Sequence, residues 1–302
     1  MVREALSSDL AYSFAHSPVA IVATIVVTVI MLASIFAPWV APYDPFNPAT
    51  LNLMDGFSRP MVPNQFSGNL YWLGTDDQGR DVFSAILYGS RISLFVGISA
   101  VLFSAVLGVG LGLLSGYRGG WVDAAIMRVA DVQLSFPSIL IALLIYGVAR
   151  GFIPPTAREA AAMWVLILAI GLSEWVQYAR AVRGVVLVEK EKEYVQAARL
   201  IGVRPMRIMA AHILPNAIGP ILVIATIGLA LAIIAEATLS FLGVGVPPTQ
   251  PSLGTLIRIG QGFLFSGEWW ILLFPAMTLL ALALSVNLLG DWLRDALNPR
   301  LR

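Results

Sequence analysis

The chain has 302 residues, 58% hydrophobic and 12% charged, and a net charge of +1. A soluble domain is about 45–50% apolar and about 25% charged, so this chain carries about half the charge that a water-facing surface of its size needs. That argues against an ordinary soluble enzyme and excludes a disordered chain, and the near-neutral balance supplies no field for nucleic acid. The absence of cysteine removes disulfides, thiolate metal sites and cysteine nucleophiles.

A helical membrane span needs about 20 mostly apolar residues. Residues 1–18 read as a cytoplasmic segment and 19–41 as the first transmembrane helix, built on the uncharged run Val19–Ala37. That run is long for a signal-peptide core and is followed by Pro38, Pro42, Pro45 and Pro48, so it is read as a retained span. Residues 42–90 form an extracytoplasmic loop rich in Pro, Asn and Asp. Its Asp76, Asp77, Arg80 and Asp81 suit a cap for a helix starting near Arg80, or a local ion-pair turn, and their spacing is wrong for an EF-hand.

Residues 91–290 read as the core membrane domain. The second span is Ile92–Leu114, where Ser104, Gly108 and Gly112, continued by Gly116, recur every four residues and form a small-residue face for close helix packing. The glycine run Gly108–Gly112 lies inside a span with no lysine after it, so it is no phosphate loop. Leu134–Val148, which contains Pro137, and Ala160–Ser173, closed by Glu174, are short third and fourth spans. Ala217–Ala235 and Trp269–Gly290 are the fifth and sixth, and 291–302 form a cytoplasmic tail. No two-residue alternation supports a barrel, so the fold class is an all-α polytopic bundle of six transmembrane helices.

With the N-terminus inside, Arg180, Arg183, Lys190, Lys192, Arg199, Arg204 and Arg207 are cytoplasmic, as are Arg3, Arg300 and Arg302. This satisfies the positive-inside bias, and an even number of spans puts both termini on that side. Charged groups at membrane depth are costly. Glu236 near the outer end of the fifth span and Asn287 toward the inner end of the sixth are candidates for a pathway, or for bonds that hold the bundle in register. Arg128 and Asp131, three apart, are expected to pair, and Glu174 to meet Arg180 or Arg183. The only histidines, His16 and His212, lie outside the spans, and no His or carboxylate cluster has metal-ligand spacing, so no catalytic, cofactor-binding or metal residue is assigned.

The inner loop, 178–217, holds most of the charge. Val188 to Ile201 favour helix, with Tyr194, Ala197, Ala198 and Ile201 on one narrow apolar stripe. Gly202 stands where a C-cap glycine belongs, Pro205 can open a second short helix, and Pro215 marks its end. The result is an elbow with Arg199, Arg204 and Arg207 around its bend. It is either a connector on anionic lipid headgroups or a helix that fits a groove on a protein partner. The small stripe tilts the balance to the second.

Gln196-Ala197-Ala198, Gly202 and, nine residues on, His212-Ile213-Leu214-Pro215 resemble the "EAA" loop of ABC importer permeases, with Gln196 where that family often has Glu. The stretch Leu73-Gly74-Thr75-Asp76-Asp77-Gln78-Gly79-Arg80-Asp81-Val82 is similar to the second, C-type, permease subunit of dipeptide, oligopeptide and nickel importers. So are Ala37–Tyr43, Leu239–Gly243 and Gly290–Leu297.

The resemblance implies a type I ABC importer permease fold in the bacterial inner membrane. It makes the loop a coupling helix, with Glu193, Tyr194, Gln196, Ala197, Ala198, Arg199, Gly202, Pro205, Arg207 and Pro215 at an ATPase contact. It places Gly74, Thr75, Asp76, Asp77, Gly79, Arg80 and Asp81 at the outer mouth, where a receptor docks. The implied partners are a homologous second permease subunit, one or two cytoplasmic ATPase subunits, an extracytoplasmic solute-binding protein and membrane lipid, with ATP and Mg held by the partners. Cargo is a di- or oligopeptide or a related small solute, with nickel chelates and opines open. An ion-gradient transporter is the rival, but it predicts ionisable groups at the midplane and broken helices in matching halves, and neither is clear here. A membrane scaffold without transport is a second rival.

Overall fold

The computed structural model describes residues 12–47 and 51–297; expectations on 1–11, Pro48 and 298–302, Arg3, Arg300 and Arg302 included, lie outside the described residues. The chain forms α1 (Pro18–Ile35), α2 (Val82–Arg118), α3 (Gly120–Leu134), α4 (Ser138–Phe152), α5 (Arg158–Glu189), α6 (Glu193–Leu200), α7 (Leu214–Phe241), α8 (Leu253–Gln261) and α9 (Trp270–Ala296), with shorter helical turns between them. Among the described residues β-pairing is limited to isolated bridges in the loop before α2, Pro63 with Leu70 and Thr75 with Asp81.

Five helices are long and apolar enough to cross a membrane: α1, α2, α5, α7 with the turns leading into it, and α9. The expected third span departs from a straight rod. α3 and α4 meet at 100° and make a sixth span only if the bent pair is counted as one. Pro137 explains the break, because its ring disfavours helical geometry at the preceding residue while its own fixed φ suits the start of α4. The 15 residues of α4 reach roughly 22 Å, short of a hydrocarbon core of about 30 Å.

α2 and α5 are the opposite case. Their 37 and 32 residues extend roughly 55 and 48 Å, well beyond the hydrocarbon core. They lie side by side in parallel, with Gly171 of α5 against Phe103, then Gly108 against Trp175 and Tyr178, Gly112 against Ala179, and Gly116 against Val186. A Cβ on Gly108 would stand 2.4 Å from the Trp175 carbonyl oxygen, and one on Gly112 would stand 2.5 Å from that of Ala179. Only glycine lets the backbones approach so closely.

This seam corrects the expected end of the fourth span at Glu174. Ala179, Val182 and Val186 continue the buried stripe, so α5 runs on to Glu189 and residues 178–189 are helix rather than loop. Glu174 sits within the helix and accepts from the Gln177 amide at 2.8 Å. Its expected arginine partners reach across to α3 instead. Arg183 pairs with Asp123, with Nε and Nη2 both at 2.6 Å, and Arg180 pairs with Asp131, which replaces the expected Arg128–Asp131 pair.

One end of the bundle is closed by Val82, Ile86, Leu94, Ile233, Leu253, Leu256 and Trp270 from α2, α7, α8 and α9. The other is closed by Val182, Val186, Val195, Ala198, Ile208, Ile213 and Ala217. Gly112→Val is expected to force the seam apart, at a cost of about 1–3 kcal/mol or more. Gly110→Ala, whose new methyl meets nothing within 4 Å, should be tolerated. Thermal unfolding and gel filtration of the detergent-purified protein compare the two.

Candidate functional site

The elbow begins where α5 stops. Residues 190–192 turn the chain, so the expected helix from Val188 to Ile201 is split, and α6 starts anew at Glu193. Glu193 in its first turn and Arg199 in its last both complement the helix dipole. Gly202 has φ +79°, the left-handed conformation of a C-cap glycine. Its N–H donates to the Arg199 carbonyl and that of Val203 to the Ala198 carbonyl, both at 3.0 Å, which completes a Schellman motif.

Pro205 opens the turn Pro205–Arg207, as its position suggests, and a π-helical turn, Ile208–Ile213, then leads without a break into α7. Pro215 therefore does not end a helix. It occupies the first turn of α7, directly after the wider π-turn.

The expected stripe divides. Val195 and Ala198 pack inward on Val182, Val186, Ile208 and Ile213. Ala197 faces outward with Leu200, Ile201 and Met206, which are 88%, 80% and 74% exposed. Ala198 thus belongs to the core, while Leu200 and Met206 join the exposed tip. Leu200 is out of step with the stripe and Met206 lies beyond the Gly202 turn, which hid both from periodicity. The Arg199 guanidinium lies 4.9 Å from the Tyr117 ring centroid at the end of α2, and Arg199, Arg204 and Arg207 are all exposed. The Gln196 amide donates to the Glu191 carbonyl at 3.0 Å.

Glu189 fastens this elbow, and the sequence reading missed it. The buried carboxylate accepts from Lys192 Nζ at 2.6 Å, from the Tyr194 hydroxyl and from Asn216 Nδ2 at 3.2 Å. Asn216 also donates to the Tyr194 hydroxyl at 3.0 Å and to the His212 carbonyl at 3.1 Å. One side chain therefore ties together the end of α5, the first turn of α6 and the start of α7. Burial and the Glu189 carboxylate raise the Tyr194 phenol to about 12, so it keeps the proton that it donates. The only hint in the sequence was the alternating run Glu189-Lys190-Glu191-Lys192.

At the opposite end, the loop before α2 forms a polar knot. The Tyr71 hydroxyl donates to Asp55 Oδ2 at 2.7 Å, and the Thr75 hydroxyl donates to the Asp55 carbonyl. Asp76 Oδ1 accepts from the N–H groups of Gln78 at 2.9 Å and Arg80 at 3.0 Å, and Oδ2 accepts from Arg80 Nε at 2.6 Å. Asp81 caps α2, accepting from the Ser84 N–H at 2.9 Å and its hydroxyl at 2.6 Å. Burial pushes both carboxyls upward, Asp76 against the pull of Arg80 and Asp81 against the bonds from Ser84. Gly74 and Gly79 take φ +79° and +75°, and a Cβ on Gly79 would meet the Asn52 carbonyl oxygen at 2.3 Å. The Trp270 indole seals the knot by donating to the Thr75 carbonyl at 3.1 Å.

Gly74, Thr75, Asp76, Gly79, Arg80 and Asp81 are thus buried and Asp77 is half-buried. Their burial fits the structural turn among the readings of this cluster. Glu236 is likewise inside the bundle rather than on a surface facing a pathway. Its oxygens accept from the Ser93 and Ser240 hydroxyls, each at 2.7 Å, and the Ser93 oxygen accepts from the Leu253 N–H at 3.2 Å. α2, α7 and α8 converge on it. Asn287 is exposed on α9.

An apolar helical bundle with five helices long enough to cross a membrane, and an elbow projecting from one end, has the build of a polytopic membrane protein. Residues 108–302 match the family described as binding-protein-dependent transport system inner membrane component, and residues 6–59 match the N-terminal transmembrane domain of oligopeptide transport permease C. The chain is 36% identical over 96% of its length to the dipeptide transport system permease protein DppC of Haemophilus influenzae, covering 94% of that protein. It is 38% identical over 98% of its length to the oligopeptide transport system permease protein OppC of Bacillus subtilis, covering 90%. With the glutathione transport system permease protein GsiD of Pectobacterium atrosepticum it shares 34% identity over 96% of its length, covering 89%. The chain belongs to the binding-protein-dependent transport system inner membrane component family and is a permease subunit of an ABC importer.

Two substitutions test the fasteners. Asp76→Ala leaves Arg80 buried and unpaired and should cost about 3–5 kcal/mol in thermal unfolding, while Gln78→Ala, at an exposed position, should stay within about 0.5 kcal/mol. Glu189→Ala leaves Tyr194 and Asn216 without their shared acceptor, a loss of about 1–3 kcal/mol. Hydrogen exchange should quicken across 193–200 and stay unchanged in the loop before α2.

Proposed function

We propose that this chain is the C-type permease subunit of an ATP-driven importer of di- or oligopeptides, with both termini in the cytoplasm of a bacterial cell. It works with a homologous second permease, one or two ATPase subunits and an extracytoplasmic solute-binding protein. ATP and Mg are bound by the ATPase subunits, and this chain performs no covalent chemistry. The names of its relatives favour a peptide cargo.

The observation that carries this reading is the exposed apolar tip of α6, Ala197, Leu200 and Ile201, anchored at its base by Glu189. An exposed helix of this kind fits a groove on a partner. When the ATPase subunits close, the tip moves with them. The Glu189 anchor passes that movement to α5 and α7, and the glycine seam passes it from α5 to α2. Only a difference in contact between two ATPase states can drive the shift. Asn287, exposed on α9, is a pathway candidate, and the buried Asp76 knot sets the outer rim on which the binding protein sits.

The test is the reconstituted complex in vesicles, with peptide uptake and ATP hydrolysis measured together. Arg199→Glu removes the contact with Tyr117, and Gly202→Asp puts a side chain at φ +79°. Both are expected to lower peptide taken up per ATP about tenfold while hydrolysis continues, within the usual range of coupling energies. Unchanged uptake per ATP in both variants would refute the assignment.

A further inference from the structure

A small cavity of 200 Å³ lies at the knot end of the bundle, where α4 stops, α5 starts and the chain between α7 and α8 folds over the gap. Arg150, Arg158 and Arg258 all line it, with Glu159 as the sole acidic residue. Its wall is fixed, since the Tyr146 hydroxyl donates to the Gly245 carbonyl at 3.2 Å. Gly243, at φ +79°, also lines it, in ordinary contact range of Arg258 Nη1.

Among the described residues neither these arginines nor Glu159 takes part in an ion pair. Arg158 Nε donates to the Ile153 carbonyl at 3.3 Å, and Arg258 Nε is buried with no hydrogen-bond partner. A guanidinium cannot lose its proton, so the three charges persist and repel. The carbonyl end of α7 offsets them in part. Among the described residues the close charge pairs elsewhere, Asp76 with Arg80, Asp123 with Arg183, Asp131 with Arg180 and Glu189 with Lys192, are matched, and the positive-inside bias gives no reason for arginines on this face.

We propose that this cavity receives a carboxylate side chain from the docking face of the solute-binding protein. The inference rests on the importer reading above, which puts that protein on this side. A carboxylate matches the planar fork of arginine in geometry and charge. The volume favours a single side chain over cargo, because small-molecule sites occupy about 300–1,000 Å³. Arg150 and Glu159 are exposed at the rim, within reach of another protein's surface.

The experiment titrates the intact complex with the binding protein that is crosslinked to it in native membranes and then purified, across a range of salt. Arg258→Gln and the exposed-site variant Arg150→Gln should each weaken docking about tenfold or more and flatten its salt dependence, with the complex still assembled on gel filtration. Arg150→Gln keeps the test open if Arg258→Gln misfolds. Unchanged affinity and salt dependence in the variants that fold overturn the proposal. Unchanged docking with a loss of uptake for free peptides but not for C-terminally amidated ones also overturns it, by assigning the site to cargo. A wild-type complex whose ATP hydrolysis ignores the binding protein refutes the importer reading itself, and this inference with it.

Discussion

The rest of the structure depends on the close approach of α2 and α5. Lipid tails are as apolar as leucine, so membrane helices gain little by hiding from lipid and associate through tight packing instead. Gly108, Gly112 and Gly116 face Trp175, Ala179 and Val186 at distances that no side chain would permit. That seam holds α2 against α5 from Phe103 and Gly171 to Gly116 and Val186. At its far end Val182 and Val186 support α6, while α2 runs back beyond the seam to the polar knot that caps it. The elbow and the knot are therefore joined through α2 and α5.

Charge is scarce in this chain, and several of its buried carboxylates serve as joints. Glu189 accepts from two helices other than its own or the turns beside them, Glu236 gathers the hydroxyl of Ser93 from another helix, and Asp76 with Arg80 closes a loop on itself. A buried carboxylate is costly unless each oxygen finds donors, so each of these groups fixes its neighbours in one arrangement. Two of these joints lie where the bundle meets its partners under the proposed function, and Glu236 joins α8 to the core. The arginine cavity breaks the pattern, which is why a group from outside the chain is its natural complement.

Much of this was legible in the sequence, and the failures have a common cause. The long spans, the four-residue glycine rhythm and the Gly202 cap were legible because each depends on local spacing or transfer from water to lipid. Hydropathy says nothing of lateral packing, so it ended the fourth span at Glu174 although Ala179, Val182 and Val186 still had a glycine face to meet. It also took Leu134–Val148 as a whole third span, when that stretch is little more than α4, and α3 before the break at Pro137 is needed to complete a crossing. Pro215 read as a terminator because a π-turn leaves no mark in composition. Between a pathway and a bond within the bundle the sequence left Glu236 open, because its partner Ser93 lies 143 positions away. Glu189 went unnoticed because its partners come from three elements.

The geometry of the elbow supports the lever of the proposed function over a lipid connector. A connector lying on headgroups turns its apolar face to the membrane. In α6 the buried apolar residues, Val195 and Ala198, are already packed on α5 and on the turns that lead into α7. The apolar residues left over, Leu200, Ile201 and Met206, stand on the tip away from that contact, and the Schellman turn at Gly202 holds them there. α5, which carries α6, is roughly 48 Å long, against a hydrocarbon core of about 30 Å. A tip held on so long a rod, apolar and rigidly based, is what the proposed coupling to another subunit requires of this chain.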